Sequence, residues 1–429
     1  MIAAAELRAS RARFGVLGLL ATGTMINYLD RTVLGIAAPA VTAELGLDAA
    51  LMGIVFSAFS WSYTLAQVPG GAFLDRFGSK LTYFVAVAAW SLMTLLHALA
   101  AGFASLLGLR LLLGISEAPC FPTNSRIVAT WFPQQERAVA TSVYTVGEYV
   151  GLAFLSPLLF FILAQWGWRT LFLVTGAGGL LFALLWWQRY HEPRGSRANA
   201  AELDHIVAGG GLVEPQAPVR FEWLLVRALM SRRQMWGICL GQFACNSTLV
   251  FFLTWFPSYL ALERGMDWLR VGFFAVLPFL AASVGVLTGG AWSDAMLRRG
   301  CSANLARKAP IITGLTLAST IIGANYVDSE IAVIAILSLA FFAQGMAAIA
   351  WVVVSDLAPP GLLGLTGGLF NVAANLAGIV TPLVIGLIVA ATGSFVGALT
   401  FVGAVAIVGA FSYVFIIGDI KRLEIEPMQ

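Results

Sequence analysis

The chain has 429 residues, of which 59% are hydrophobic and only 11% charged. Soluble domains carry roughly 25% charged residues, so this composition argues against a soluble multidomain enzyme. The 25 Lys and Arg and the 22 Asp and Glu are scattered along the chain and form no single basic face or tract, which argues against nucleic acid as a partner.

Long apolar runs, broken by charges or by Gly and Pro clusters, follow one another along the chain. A membrane helix needs about 20 residues, and none of the runs alternates as the strands of a membrane β-barrel do. The twelve runs cover residues 14–39, 50–73, 81–101, 104–124, 138–164, 168–188, 234–260, 270–292, 309–327, 331–354, 362–391 and 394–418.

A polar stretch between the sixth and seventh runs divides the chain. The sequence predicts an all-α integral membrane protein with twelve transmembrane helices: residues 1–190 form an N-terminal six-helix half and residues 234–429 a C-terminal one. Residues 191–233 form a linker between them. The amphipathic segment FEWLLVRALMSRR from Phe221 predicts a short helix in that linker, lying at the membrane surface.

The distribution of basic residues predicts the orientation. With the amino terminus in the cytoplasm, 20 of the 25 Lys and Arg fall on the cytoplasmic side and three, Arg169, Arg264 and Arg270, on the other. The positive-inside rule therefore predicts that both termini and the linker are cytoplasmic. Four cysteines without a C-x-x-C pair and three distant histidines indicate neither a disulfide framework nor a metal site, and no cofactor is expected.

The two halves share a pattern. GGAFLDRFGSK begins at Gly70 after the second run, and GGAWSDAMLRRG begins at Gly289 after the eighth, which places Asp75 and Asp294 in matching positions. Ser156-Pro157 in the fifth run is echoed by Thr381-Pro382 in the eleventh. Parallel six-helix repeats that face each other across a central cavity are typical of a large class of transporters.

Charges inside the runs are the strongest functional signal, because each costs roughly 2.5–3.5 kcal/mol at a helix centre on insertion scales. The five are Asp30, Arg31, Arg110, Glu117 and Glu148, all in the N-terminal half. An arginine can hold a carboxylate through two hydrogen bonds, and a buried acid can load and release a proton. The alternative is that Asp30, or Arg110 with Glu117, forms a static ion pair between helices.

The segment from Gly71 to Lys80, with Asp75, Arg76 and Gly78, resembles the signature loop of the major facilitator superfamily, and Asp294 lies in a weaker copy. Gly71 is expected to let helices approach, Asp75 to face an arginine or a helix N-terminus, and Gly78 to turn the chain. We interpret Gly71, Asp75, Arg76 and Asp294 as residues that control the conformational change.

NYLDR at 27–31, the second-run segment ending in QVPGG, and RLLLGISEAPCFP from Arg110 are similar to the anion:cation symporter family, and to its bacterial sugar-acid carriers. The resemblance implies a monomeric, proton-coupled importer of a small organic anion in the bacterial inner membrane. It implies Arg31 as the carboxylate anchor, Tyr28, Tyr63, Trp351 and Asn371 as substrate contacts, Asp30 and Glu117 as proton sites, and Arg110 as their partner. Aromatic or dicarboxylic acids remain alternative substrates, which the protein would carry by symport or by exchange.

Glu148 departs from the pattern, because the resemblance implies an amide at this substrate-binding position. Either Glu148 is protonated when substrate binds, or the substrate differs.

Three other functions are disfavoured. The fifth run lacks the G-x-x-x-G-P-x-x-G-G motif typical of drug antiporters, and the chain contains neither a phosphate-binding loop nor H-E-x-x-H of an enzyme. A ligand sensor would be expected to carry a long cytoplasmic tail, and only about ten residues follow Gly418.

Overall fold

The computed structural model describes residues 9–133, 135–211, 223–359 and 362–423, and throughout them the regular structure is helical. The α-helices are α1 (Ala12–Leu45), α2 (Ala49–Leu96), α3 (Phe103–Glu117), α4 (Cys120–Trp131), α5 (Arg137–Arg189), α6 (Ala200–Ala208), α7 (Trp223–Met230), α8 (Arg233–Thr254), α9 (Phe256–Ser258), α10 (Trp268–Arg298), α11 (Ala303–Ala318), α12 (Glu330–Ala347), α13 (Ala350–Leu357), α14 (Leu363–Thr392) and α15 (Val396–Phe411).

These helices make twelve membrane spans. Two of them, α2 and α5, each contain two spans, because Gly78 and Gly167 adopt positive φ angles of 77° and break the helix there. Only glycine adopts such an angle without strain, so the predicted turn at Gly78 is confirmed. By length and composition alone, eight helical segments of the described residues could cross a membrane. Two of these segments contain the breaks at Gly78 and Gly167 and cross it twice, so the eight segments supply ten spans.

The remaining two spans are α1, which carries Asp30 and Arg31, and α11, which continues as the 3₁₀ segment Ser319–Tyr326. The fourth span breaks between α3 and α4, directly after Glu117, and the tenth breaks at the matching place between α12 and α13. The predicted twelve helices in two six-helix halves therefore agree with the structure, and the repeat extends to the helix breaks.

The bundle has two ends. We call the end with the turns at Gly78 and Gly300 the linker end, and the end with the turns at Gly46 and Gly393 the opposite end. The halves meet closely at the opposite end: a Cβ on Gly35 of α1 would lie 2.5 Å from the Leu253 carbonyl oxygen of α8. A Cβ on Gly53 of α2 would lie 2.7 Å from the Pro382 carbonyl oxygen of α14.

The hydrophobic core follows the same division. One buried cluster at the opposite end contains residues of both halves, among them Phe56 of α2, which packs edge-on against Trp255 at 5.2 Å between ring centroids. Towards the linker end, one cluster around Trp131 and Trp186 belongs to the N-terminal half, and another around Tyr413 belongs to the C-terminal half. The halves are thus joined at the opposite end and have separate cores towards the linker end.

The linker is attached to the N-terminal half. Glu202 of α6 is fully buried, and its carboxylate accepts hydrogen bonds from the backbone N–H groups of Ala12 (3.0 Å) and Arg13 (3.1 Å), capping α1. Arg13 also pairs with Glu136 at 3.1 Å. Partial burial raises the pKa of Glu136, but hydrogen bonds from His205 and Arg13 outweigh burial and lower the pKa overall. The predicted surface helix corresponds to α7, although Phe221 lies outside the described residues.

Candidate functional site

The five charged residues predicted inside the spans all lie in the N-terminal half. Asp30 and Arg31 are on α1, Arg110 and Glu117 on α3, and Glu148 on α5. Four of them are at most 4% exposed, and the Arg31 side chain is 17% exposed. Such a concentration of buried charge in an apolar bundle requires a function or a set of compensating partners.

Arg31 is the centre of this cluster. Its Nε donates a hydrogen bond to Glu117 Oε2 at 2.8 Å. Its guanidinium carbon lies 5.1, 4.9 and 5.0 Å from the ring centres of Tyr28, Phe59 and Tyr63, and the Phe121 ring follows at 5.8 Å. We call these four rings the aromatic cage. Arginine binds well to aromatic faces, so the cage fixes the guanidinium plane.

One edge of that guanidinium is unused. Arg31 Nη2 is buried and has no hydrogen-bond partner among the described residues, and neither has Glu117 Oε1. A planar guanidinium with a free N–H edge matches the geometry of a carboxylate, which accepts two parallel hydrogen bonds. Arg31 is therefore preorganised to bind an anion through Nη2, while its Nε is already bound to Glu117.

Glu117 pairs with Arg31 and not with Arg110, the residue that the sequence places on the same helix face. Arg110 and Glu117 share a helix face, but seven residues of α-helix separate them by about 10 Å along the axis, too far for a direct contact of the two groups. Arg31, 86 residues earlier in the chain, reaches Glu117 instead. Arg110 lies over the Phe59 ring at 5.3 Å. In this conformation Glu117 hydrogen-bonds to Arg31, and it interacts with Arg110 only through the charges of the two groups.

Asp30 forms no close ion pair with any residue that the structure describes. Both of its carboxylate oxygens are buried without a hydrogen-bond partner among the described residues. The polar side chains that interact with it most closely are Glu117, Thr94 and Trp90, and Arg110 follows. A buried carboxylate ion is costly without a close ion-pair partner. Thr94, Trp90 and Arg110 favour the charged form of Asp30, whereas burial and the neighbouring Glu117 oppose it.

Glu148 stands beside the aromatic cage. The Tyr28 hydroxyl interacts with its carboxylate, and Arg31 contributes a further favourable electrostatic interaction. The predicted contacts Tyr28, Tyr63 and Glu148 are thus together with Arg31. The cluster as a whole combines two basic groups, Arg31 and Arg110, with three acids.

The two predicted contacts from the C-terminal half lie apart from this cluster. Trp351 of α13 is 47% exposed and packs edge-on against Phe370, with 4.8 Å between ring centroids. The Asn371 carbonyl accepts a hydrogen bond from Asn375 Nδ2 at 3.0 Å. Across the described residues, we find no hydrogen bond, ion pair or ring contact between either side chain and Arg31. The two halves have separate cores towards the linker end and do not close there, which explains why Trp351 and Asn371 do not contact Arg31.

The predicted gating residues lie at the linker end, each within its own half. Asp75 pairs with Arg126 of α4 at 3.5 Å. Asp294 pairs with Arg307 of α11 at 3.7 Å, and Arg307 also holds Asp356 at 3.1 Å. The expectation that Asp75 faces an arginine is confirmed. The Arg76 guanidinium lies over the Phe77 ring at 5.3 Å.

The expectation for Gly71 is wrong. A Cβ on Gly71 would meet nothing within 4 Å, so this glycine does not bring two helices together. The neighbouring Gly70 does, because its Cβ would lie 3.0 Å from the Pro119 side chain. One position along a helix turns the side chain by about 100°, which moves it from the packed face to the open one.

Several functional residues were missed from the sequence. Phe59 and Phe121 complete the aromatic cage, but a phenylalanine in an apolar helix carries no signal of its role. Arg126 on the fourth span and Arg307 on the ninth are the partners of Asp75 and Asp294, and could have been suspected as basic residues at the same end of the bundle as the two signature loops.

Three comparisons place this geometry among known proteins. Residues 20–380 match the family described as the Major Facilitator Superfamily. The chain is 47% identical over 423 residues to the D-galactonate transporter of Escherichia coli O6:H1, covering 96% of this chain and 97% of that protein. It is 41% identical over 433 residues to the probable galactarate/D-glucarate transporter GudP of Escherichia coli K12, covering 98% and 96%.

Among solved structures, the D-xylose-proton symporter superposes with a TM-score of 0.74 at 16% identity, over 96% of this chain and 99% of that one. At this identity the likeness concerns the fold alone. The relatives are named as transporters, in agreement with a multi-pass membrane carrier and not with an enzyme.

Proposed function

Because this chain belongs to the major facilitator superfamily, we propose that it is a proton-coupled symporter that carries a small sugar acid into the bacterial cell. Its relatives named for D-galactonate and for galactarate/D-glucarate support a sugar acid as the substrate class. The protein acts in the inner membrane as a monomer, without a cofactor and with H⁺ as the coupling ion.

The buried Arg31–Glu117 pair carries this proposal. At 2.8 Å, with the Arg31 Nη2 edge free, the guanidinium can exchange its internal carboxylate for a carboxylate of the substrate. Breaking a buried ion pair by removing one partner is strongly unfavourable, so Glu117 leaves Arg31 at low cost only if its charge is neutralised. A proton on Glu117 does this, and the substrate carboxylate then takes the vacated side of Arg31.

Proton and substrate therefore favour each other's binding. Each makes the state in which Glu117 has released Arg31 more stable, and such coupling is reciprocal by thermodynamic linkage. Asp30, unpaired and next to Glu117, acts as the second proton site. Arg110, whose guanidinium also lies over Phe59, keeps the local charge balanced.

The linker end is the cytoplasmic end in this proposal, as the distribution of Lys and Arg predicts. The halves are joined at the opposite end and have separate cores at the linker end, an arrangement that suits release of substrate to the cytoplasm. Uptake requires the reverse arrangement as well, in which the Gly35 and Gly53 contacts part and the linker end closes. That closure brings Trp351 and Asn371 towards Arg31.

Glu148 narrows the choice of sugar acid. When ionised, Glu148 repels a second substrate carboxylate, and in either protonation state it can form hydrogen bonds with substrate hydroxyls. A polyhydroxylated acid with one carboxylate at Arg31 and hydroxyls at Glu148 therefore fits best. Aromatic acids, which lack those hydroxyls, and dicarboxylic acids are the alternative substrates.

The test is a competition experiment in proteoliposomes with an inward proton gradient. Labelled D-galactonate and D-glucarate are offered in turn, and unlabelled aldonates, uronates, aldarates and aromatic acids compete. We expect a sugar acid to be taken up and to be displaced by its own class at concentrations about tenfold lower than by aromatic acids, a difference of about 1.4 kcal/mol. Preferential uptake of an aromatic acid would overturn the substrate assignment.

A further inference from the structure

A line of buried polar side chains runs along the third span, which is the part of α2 after Gly78. Trp90, Thr94 and His97 are spaced at i, i+4 and i+7, so they share one face of the helix. All three are at most 1% exposed. We call them the polar line.

Each member of the polar line carries a polar atom without a hydrogen-bond partner among the described residues. These atoms are Trp90 Nε1, Thr94 Oγ1 and His97 Nε2. An unsatisfied buried polar group costs about 1–3 kcal/mol, so each of these atoms requires compensation by water, by a proton or by a neighbouring side chain. Two of these side chains, Trp90 and Thr94, interact with the Asp30 carboxylate, which has no closer hydrogen-bond partner among the described residues.

His97 is held in a defined position at the end of this line. Its Nδ1 lies 2.7 Å from the Met93 carbonyl oxygen, and its ring stacks on Phe172 of the sixth span at 5.1 Å between centroids. A carbonyl accepts a hydrogen bond only, so Nδ1 carries a proton and Nε2 of the neutral ring is an acceptor. His97 Nε2 can therefore receive a proton without any change in the contacts that hold the ring.

The line ends close to the surface of the opposite end. Leu99, two residues after His97, is 73% exposed. The Ala100 carbonyl lies 3.5 Å from Arg169 Nη2, and Arg169 pairs with Glu44 at that surface. Seven residues of helix span about 10 Å, so the polar line extends about that far from Trp90, which interacts with Asp30, towards this surface.

Besides Asp30 of α1, the charges that face the polar line come from α3. Arg110 of α3 acts electrostatically on both His97 and Asp30, and Glu117 of the same helix acts on Asp30. From α5, the facing group at His97 is the uncharged Phe172 ring. Chains of Asp, Glu and His inside membrane spans are the usual proton relays of transporters.

We propose that His97 and Thr94 form the proton route between Asp30 and the opposite end of the bundle, with His97 as the relay nearest the surface. The inference rests on the proposed function, because it requires that protons drive transport. His97 acts through Asp30 and does not touch the substrate. It therefore governs only the rate at which a proton reaches Asp30, and its replacement does not alter the substrate site.

The test replaces His97 with phenylalanine, which keeps a ring to stack on Phe172 and removes both nitrogens. Two rates are measured in proteoliposomes: sugar-acid uptake driven by a proton gradient, and exchange of labelled for unlabelled sugar acid at equal pH, which needs no net proton movement. We expect His97→Phe to slow driven uptake by at least about tenfold while exchange stays within about twofold of the parent protein. Thr94→Val, which removes only the hydroxyl, should give the same pattern with a smaller loss.

His191→Phe is the matched control, because His191 is an exposed histidine after the sixth span, outside the polar line. Both rates should stay at the parent level. Driven uptake at the parent rate in both His97→Phe and Thr94→Val would overturn the inference, and so would an equal loss of uptake and exchange in both, since that indicates structural damage. If the parent protein itself shows exchange but no response to a proton gradient, the proposed function fails instead.

Discussion

Replacing Arg31 with lysine is expected to reduce sugar-acid uptake by about 10- to 100-fold, corresponding to the 1.5–3 kcal/mol typical of hydrogen bonds to charged groups. Lysine keeps the positive charge but is a point charge without a planar fork. It cannot bind Glu117 through one nitrogen and present a second N–H edge to a substrate carboxylate, as Arg31 does. The loss is measured as uptake of labelled sugar acid at a substrate concentration below saturation.

Arg169→Lys provides the control for this change. Arg169 also pairs with a glutamate, Glu44, but at the surface of the opposite end, where both side chains are more than 40% exposed. Exposed ion pairs contribute about 0–1 kcal/mol, so uptake should change little. Parent-level uptake by Arg31→Lys would show that Arg31 is not the substrate anchor.

Replacing Glu117 with glutamine is expected to abolish accumulation against a gradient while exchange across the membrane persists. The amide keeps the shape of the side chain but cannot take up a proton, and it holds Arg31 less strongly than a carboxylate does. Arg31 is then free for substrate at every pH. We expect substrate binding to lose its dependence on pH and the inside concentration to rise no higher than the outside one.

The matched control is Glu44→Gln, which changes a glutamate that also pairs with an arginine, outside the cluster. This variant should accumulate substrate like the parent protein. Accumulation by Glu117→Gln at the parent level would remove Glu117 from the coupling mechanism, and loss of exchange together with accumulation would indicate that Glu117 holds the fold and does not carry the proton.

Much of the fold could be predicted from the sequence, because a membrane interior makes strong demands on composition. Long apolar runs, the polar linker and the repeated signature loop were sufficient to predict twelve spans in two halves. Gly78 could be interpreted as a turn because its position lies between two apolar runs. The five charged residues were found for the same reason, since a charge in a membrane span requires an explanation.

The pairing of those charges could not be predicted. Arg31 and Glu117 are 86 residues apart, and only the folded bundle, in which α1 packs on α5 and α3 packs on α2, brings their side chains to 2.8 Å. The shorter spacing of Arg110 and Glu117 suggested the alternative of a pair between them and gave no indication that Arg31 hydrogen-bonds to Glu117. Similarly, Gly70 and Gly71 are equivalent in sequence, and only the position of Pro119 decides which of them faces a neighbouring helix.

The conformation of the transporter could not be predicted from the sequence either. A repeat predicts two halves but not the end at which they meet, because two arrangements of similar energy share one sequence. Close contacts at Gly35 and Gly53 reveal the closed end only once the helices are placed. The aromatic cage depends on the same placement, since Phe59 and Phe121 are indistinguishable in sequence from lipid-facing phenylalanines.

Proton movement on substrate addition tests the central claim most directly. De-energised cells that express the protein are suspended in a weakly buffered medium, a sugar acid is added, and the external pH is recorded. Proton symport predicts that the medium becomes more alkaline on addition of the transported acid and that Asp30→Asn removes this response. Entry of the labelled acid without any pH change in the parent protein would contradict proton coupling.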